Sequence, residues 1–253
     1  MERTIMDKMK APNILIAVPH NSGTTFLSGL LGNYFKPDVP YFHAADGYDG
    51  SDHVLSMQRL TEIRARELSY IAPMHTRSSP YVEAMIKEYN IKTITMTRNI
   101  YDCIVSLKDR IRRYKHKTKA SSALVFTQTL PIHAEMSEVQ LEAYLIKYAV
   151  PWYFSFYASW QRSQISLLNI TYEALVGNTA ETLQLVIEKL GYKPVRDKIN
   201  IAINETKKMN TRLNVGKIGR GKDLSIAYRK EIAELMSMYP GIDFSPFLND
   251  GSF

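Results

Sequence analysis

Residues 13–26 read NILIAVPHNSGTTF, Asn13 through Phe26, and this stretch decides the fold. Residues 13–18 are a short apolar run stopped by Pro19, the pattern of a strand buried on both faces. Residues 21–25 form a turn with one glycine, and an apolar-periodic stretch over 26–34 reads as a helix. A turn that leads from a strand into a helix presents backbone N–H groups, and the helix N-terminus adds partial positive charge. Ser22, Thr24 and Thr25 add hydroxyl donors, so the segment is either a phosphate cradle or an ordinary capped turn. The string Gly-x-x-x-x-Gly-Lys-Ser/Thr occurs nowhere in the chain, which counts against a P-loop kinase-like phosphotransferase.

Working outward, residues 36–50 are rich in Pro, Gly, Asp and aromatics and read as a loop, and Ser51 caps a helix running to about residue 68. Residues 70–74 form a second strand and 80–89 a helix opened by proline. Residues 92–97 (KTITMT) form a third, β-branched strand. A helix from Asn99 to about Tyr114 follows, with Asp102 in a capping-box-like position. Residues 115–136 have no steady period and form a long loop of the kind that often serves binding. Ser137 with Gln140 is a capping box for one long helix through Trp160, and 165–171 is a fourth strand. Asn178 with Glu181 caps the next helix, which stops at Gly191; helices over 195–208 and 226–238 flank a Gly- and Lys-rich segment at 214–222. Strands alternating with helices predict a three-layer α/β/α fold with a central, mainly parallel sheet, in which ligands meet the carboxyl ends of the strands.

The 253 residues suit a single domain preceded by a short tail at 1–11, with 45% hydrophobic and 23% charged residues typical of globular chains. The formal charge of +7 favours anionic ligands. One cysteine, Cys103, excludes an internal disulfide and disfavours a Cys-based metal site. The charged first ten residues lack the apolar core of a secretory signal, and Lys147 and Pro151 interrupt the most apolar run, 143–160. A buried helix, no membrane span and a cytoplasmic location are the expectations.

Arg98 ends the third strand, where a guanidinium can give a phosphate paired hydrogen bonds, and Ser106 stands about two helical turns further on. Each alone has a plainer reading, as a surface ion pair and a solvated serine. Together with the first turn, however, these segments resemble the sulfotransferase family that uses 3′-phosphoadenosine-5′-phosphosulfate (PAPS). The family's phosphosulfate loop, Pro-Lys-Ser-Gly-Thr-Thr, is matched by Ser22-Gly23-Thr24-Thr25, and its Arg-Asn-Pro-x-Asp with a later serine by Arg98-Asn99-Ile100-Tyr101-Asp102 and Ser106. Tyr172-Glu173-Ala174-Leu175, preceded by Trp160 and followed by Leu190-Gly191, stands for its Tyr-Glu-Asp-Leu. Gly216 and Gly219 match the glycines of its C-terminal Arg-Lys-Gly-x-x-Gly. The resemblance runs in order from about residue 13 to 239.

It implies a P-loop-like sulfotransferase architecture and transfer of the sulfuryl group of PAPS to a hydroxyl or nitrogen of a small molecule, leaving adenosine 3′,5′-bisphosphate. Asn21, Ser22, Gly23, Thr24, Thr25 and Phe26 would hold the 5′-phosphosulfate. Arg98, Ser106, Gly216, Lys217 and Gly219 would meet the 3′-phosphate region, and Tyr172 the adenine. His75 falls at the place of the catalytic base, a role suited to an imidazole. The family's lysines are replaced here by Asn21 and Pro73, so another group must balance charge on the bridging oxygen. His20, Arg77 and Lys217 are the candidates, and Arg212, Lys217 or Arg220 stand in for the C-terminal Arg-Lys pair.

Tyr41, Phe42 and His43, with Asp46, Tyr48, Asp49, Asp52 and His53, crowd the loop after the first helix. Aromatics beside carboxylates would suit a polar or cationic acceptor, although a solvated acidic loop is the plainer reading of the aspartates. Phe126 and His133 in the 115–136 loop are further acceptor contacts. No metal is expected, since these histidines and aspartates fit no standard ligand spacing. The basic run Arg110, Arg112, Arg113, Lys115, Lys117 and Lys119 raises the alternative of a non-catalytic adenosine bisphosphate or nucleic-acid binder. No nucleic-acid partner is expected, because such a run is more often a solvated helix end.

Overall fold

The computed structural model describes residues 11–45, 52–113, 133, 135–209 and 217–248. Four strands, β1 (Ile14–Ala17), β2 (Ile71–Met74), β3 (Lys92–Thr97) and β4 (Leu167–Thr171), form one sheet in the order β2-β1-β3-β4, with every pair parallel. The chain leaves β1, adds β2 on one side and then β3 on the other, so the carboxyl ends of β1 and β3 flank the crevice where the order reverses. β2 is an edge strand, which explains how Pro73 sits in register with Ile16 without breaking an internal ladder.

Side-chain alternation in β1 divides the core. Leu15 and Ala17 join a cluster built with helices α2 (Met57–Ala65), α3 (Pro80–Glu88), α4 (Ile100–Arg113), α5 (Glu138–Tyr148), α6 (Val150–Gln161) and α10 (Ile226–Ser237). Ile14, Ile16 and Val18 join the opposite cluster, built with α1 (Thr24–Phe35), α7 (Tyr172–Gly177), α8 (Thr179–Lys189) and α9 (Arg196–Lys208). All of these β1 residues are fully buried, so the expected apolar run is the spine of a sheet covered on both faces.

Three expectations are corrected. The single helix over 137–160 is two, α5 and α6, meeting at Ala149. Pro151 has no N–H and its ring collides with a carbonyl one turn earlier, so it is stable only in the first turn of a new helix. The helix capped by Ser51 starts instead at Met57, capped by Ser56, whose hydroxyl accepts from the Arg59 amide, and ends at Ala65. Asn99 caps α4 as expected, its Oδ1 accepting from the Tyr101 and Asp102 amides, but the Asp102 carboxylate turns to another partner described below. Among the described residues no helix is long and apolar enough to cross a membrane.

Candidate active site

All four site segments follow strand ends: the turn after β1, His75 after β2, Arg98 after β3 and Tyr172 after β4. In the first turn Asn21 and Gly23 both have positive φ, 57° and 90°. Gly23 is required for space as well, because a Cβ there would lie 2.7 Å from Tyr172 Cδ2. Thr24 and Thr25 open α1 and Phe26 is buried in the core, whereas Ser22 turns inward. The Ser22 hydroxyl donates to the His20 carbonyl and lies 3.8 Å from Cys103 Sγ, so it does not face outward as a ligand donor in this structure. Burial pushes the Cys103 thiol up to about 12, which makes it an inert core residue.

Arg98 is buried, with its guanidinium 4.2 Å above the Tyr172 ring and Nη1 donating to the Asn21 carbonyl at 2.7 Å. It therefore braces the first turn from below, with the Tyr172 ring packed between it and Gly23. Glu173, the next residue, accepts from the Asn99 amide at 2.9 Å and so ties the end of β3 to the end of β4. Ser106 is buried further along α4. Three donors gathered here are buried without a hydrogen-bond partner among the described residues: Asn21 Nδ2, Thr24 Oγ1 and Arg98 Nε. Unsatisfied buried donors are costly, and a cluster of them at a strand-to-helix turn fits an anion.

His75 Nδ1 lies 2.7 Å from the Val18 carbonyl. A carbonyl only accepts, so Nδ1 carries the hydrogen and Nε2 keeps its lone pair. Desolvation, and then the fields of His53 and Arg110, push His75 down to about 3 against the opposing Val18 bond. The ring is thus neutral near pH 7. His20 is buried with its ring 3.5 Å from that of His75, and its carbonyl also accepts from Tyr153 Oη at 2.6 Å. His53 accepts the His75 amide on Nδ1 at 3.1 Å and donates its own amide to the His75 carbonyl. Helix α6 pins the following segment at each residue: Trp160 Nε1 donates to the Thr76 carbonyl, Arg77 Nη1 donates to Ser155 Oγ, and the Ser78 amide donates to Ser159 Oγ.

The acceptor candidates divide. His43 stands 5.6 Å from His53, ring to ring, and so belongs to the histidine row leading to His75. Phe42 packs on Tyr70, Tyr41 is exposed, and His133 stacks on Tyr144 of α5. Asp52 accepts from Arg77 on both oxygens and from Trp152 Nε1, so Asp52 and Arg77 neutralise each other. Phe126, Gly216 and Arg212, with Asp46, Tyr48 and Asp49, lie outside the described residues. Lys217 is exposed. The amides of Gly219 and Gly221 both donate to Asp102, at 2.9 and 2.7 Å, and Arg220 pairs with Asp109 at 2.6 Å. This clasp holds the C-terminal loop on α4.

Sequence reasoning placed Arg110 only in a basic run, yet its Nη1 donates to Asn21 Oδ1 at 3.3 Å. Others of that face are neutralised: Lys108 and Arg112 pair with Glu138, and Lys108 also with Glu142. Lys115, Lys117 and Lys119 lie outside the described residues. Among those residues no group of three or more His, Cys, Asp or Glu side chains could hold a metal ion.

A parallel sheet with unpartnered buried donors at its switch point places the chain among α/β folds that take ligands at their strand ends. The chain belongs to the sulfotransferase domain family, whose model matches residues 11–232, and is a PAPS-dependent sulfotransferase. Among solved structures it is similar to mouse sulfotransferase SULT7A1 complexed with PAP, at 14% identity and a TM-score of 0.65, covering 94% of this chain and 86% of that one. It is also similar to retinol dehydratase in complex with androsterone and inactive cofactor PAP, at 10% identity and a TM-score of 0.51, covering 93% and 82%. At these identities the likeness is one of fold. A search of curated proteins gave no match.

Proposed function

We propose that this single domain transfers the sulfuryl group of PAPS to a hydroxyl or nitrogen of a polar small molecule, with His75 as general base. The observation that carries the reading is the set of three unpartnered buried donors at the first turn, Asn21 Nδ2, Thr24 Oγ1 and Arg98 Nε. They fit the phosphates of PAPS, whose chemical contribution is an activated sulfuryl group. The turn from Asn21 to Thr25, without the inward-turned Ser22 hydroxyl, would hold the 5′ side, and Arg98 with Ser106 the 3′-phosphate. Lys217 would complete that end from the exposed side of the clasped loop.

His75 Nε2 would take the acceptor's proton, because the Val18 carbonyl holds Nδ1–H and orients the ring. His20, packed between His75 and Trp152, is best suited to keeping that ring in place. The cation-seeking role of the acidic loop loses Asp52, whose carboxylate is already paired, so the proposed acceptor is polar and meets the His43–His53–His75 row. Ion pairing of Lys108 and Arg112 supports an enzyme without a nucleic-acid partner. A cytoplasmic location is proposed on the single cysteine, which suits a reducing compartment.

The test is calorimetric titration with adenosine 3′,5′-bisphosphate, with ATP and 5′-AMP as controls, on the parent and Arg98→Ala. Bisphosphate binding that exceeds both controls and depends on Arg98 is expected. Equal binding of ATP would overturn the reading. With an acceptor in hand, His75→Gln should keep bisphosphate affinity and lose about 100- to 10,000-fold in kcat.

A further inference from the structure

The turn's own residues are neutral, although breaking the bond to the sulfuryl group leaves negative charge on the 5′-phosphate. Stabilising such charge is usually the largest electrostatic contribution to catalysis. Arg77 is held by Asp52 and Ser155, and Arg98 is held beneath the turn by the Asn21 carbonyl and the Tyr172 ring. Arg110 is differently placed. It lies about three helical turns beyond Arg98, part-buried, with Nη1 on Asn21 Oδ1 at 3.3 Å.

Two guanidinium groups therefore grip Asn21, Arg98 at the main-chain carbonyl and Arg110 at the side-chain oxygen. Because a guanidinium only donates, the Arg110 contact fixes which end of the carboxamide is oxygen. The other end, Nδ2, is buried with no partner among the described residues. The φ of 57° at Asn21 places the side chain from a left-handed backbone, a conformation asparagine tolerates through its short polar side chain. The charge of Arg110 also reaches into the site: it adds to the burial that lowers His75 and opposes the burial that raises Tyr153.

We propose that Arg110 is a positioning residue that holds the Asn21 carboxamide with Nδ2 toward the 5′-phosphosulfate and supplies behind it the positive charge the turn lacks. This rests on the PAPS reading above. Asn21 and Arg110 then act as a pair, one giving the hydrogen bond and the other the charge that a single lysine would combine.

The test is binding of three probes, 5′-AMP, 3′-AMP and adenosine 3′,5′-bisphosphate, to the parent, Arg110→Gln, Arg110→Lys and the double variant Asn21→Lys/Arg110→Gln. Arg110→Gln should weaken 5′-AMP and the bisphosphate by about tenfold to a hundredfold, the range of one charge-assisted contact, and leave 3′-AMP unchanged. Arg110→Lys should recover part of the loss, and Asn21→Lys should restore binding in the Arg110→Gln background. Equal weakening of 3′-AMP would reveal a merely structural role, and unchanged binding of all three would show that Arg110 does not act on the 5′ side; either overturns the proposal alone. A parent protein that binds none of the probes overturns the PAPS reading and this proposal with it.

Discussion

Replacing Asp102 with alanine removes the carboxylate that fastens the C-terminal loop to α4. Two main-chain amides donate to it, Gly219 at 2.9 Å and Gly221 at 2.7 Å. A hydrogen bond to a charged group contributes about 1.5–3 kcal/mol, and an acid in the first turn of a helix adds about 0.3–1 kcal/mol. The two amides differ in what they lose. Gly219 is partly exposed and can turn to water, whereas Gly221 is buried, with no room for a Cβ against Tyr101, and its amide would be left unsatisfied. The expected loss is therefore nearer one full bond plus the helix contribution than two bonds, about 3 kcal/mol. For a chain of this size that lowers Tm by about 6–12 °C. Differential scanning calorimetry reads the shift, and titration with adenosine 3′,5′-bisphosphate reads the loop's part in binding, which should also weaken. A Tm within about 1 °C of the parent together with unchanged affinity would refute the clasp.

Gly23→Ala should cost stability and bisphosphate affinity together, because the new Cβ meets the Tyr172 ring and the φ of 90° adds about 1–2 kcal/mol of strain; urea unfolding and calorimetry check both. His75 should also shape acid sensitivity. Its pKa is about 3 in the folded protein and near 6.5 when unfolded, so the unfolded chain takes the proton first and stability falls as pH drops from about 6.5 toward 3. At pH 5 this amounts to at most about 2 kcal/mol, and His75→Gln should lose that much less than the parent between pH 7 and 5 in urea titrations; parallel profiles would contradict the part-buried neutral imidazole.

The strands were the most legible elements. The β-branched run 92–97 is the whole of β3, and the apolar run at 13–18 contains β1 with one residue to spare at each end. Helix boundaries were less so, because capping residues are common. Ser51 and Ser56 are both acceptable caps by type, and only Ser56 stands where the chain turns into α2. Pro151 carried the signal that divides α5 from α6, but the capping box at Ser137 and the apolar run across 143–160 masked it. At the site, the strand-end positions of the candidates could be read from the alternating pattern. The partners of those side chains could not. Ser22 has the right type for an outward donor and turns inward, while Asp102 has the right type for a helix cap and instead binds a loop more than a hundred residues away.

From its sequence alone this protein was determined to have a buried parallel sheet, turns at the strand ends and the motifs of its family. Hydrophobic periodicity, proline and glycine act over a few residues, so these features are written locally. The tertiary structure decided which charges meet. The order β2-β1-β3-β4 sets His75, Asn21 and Arg98 at neighbouring strand ends and lays α4 so that Arg110 reaches Asn21, while α5 neutralises Lys108 and Arg112. A side chain's partner depends on which elements the sheet brings within a few ångströms, and that distance is not encoded by its neighbours in the chain.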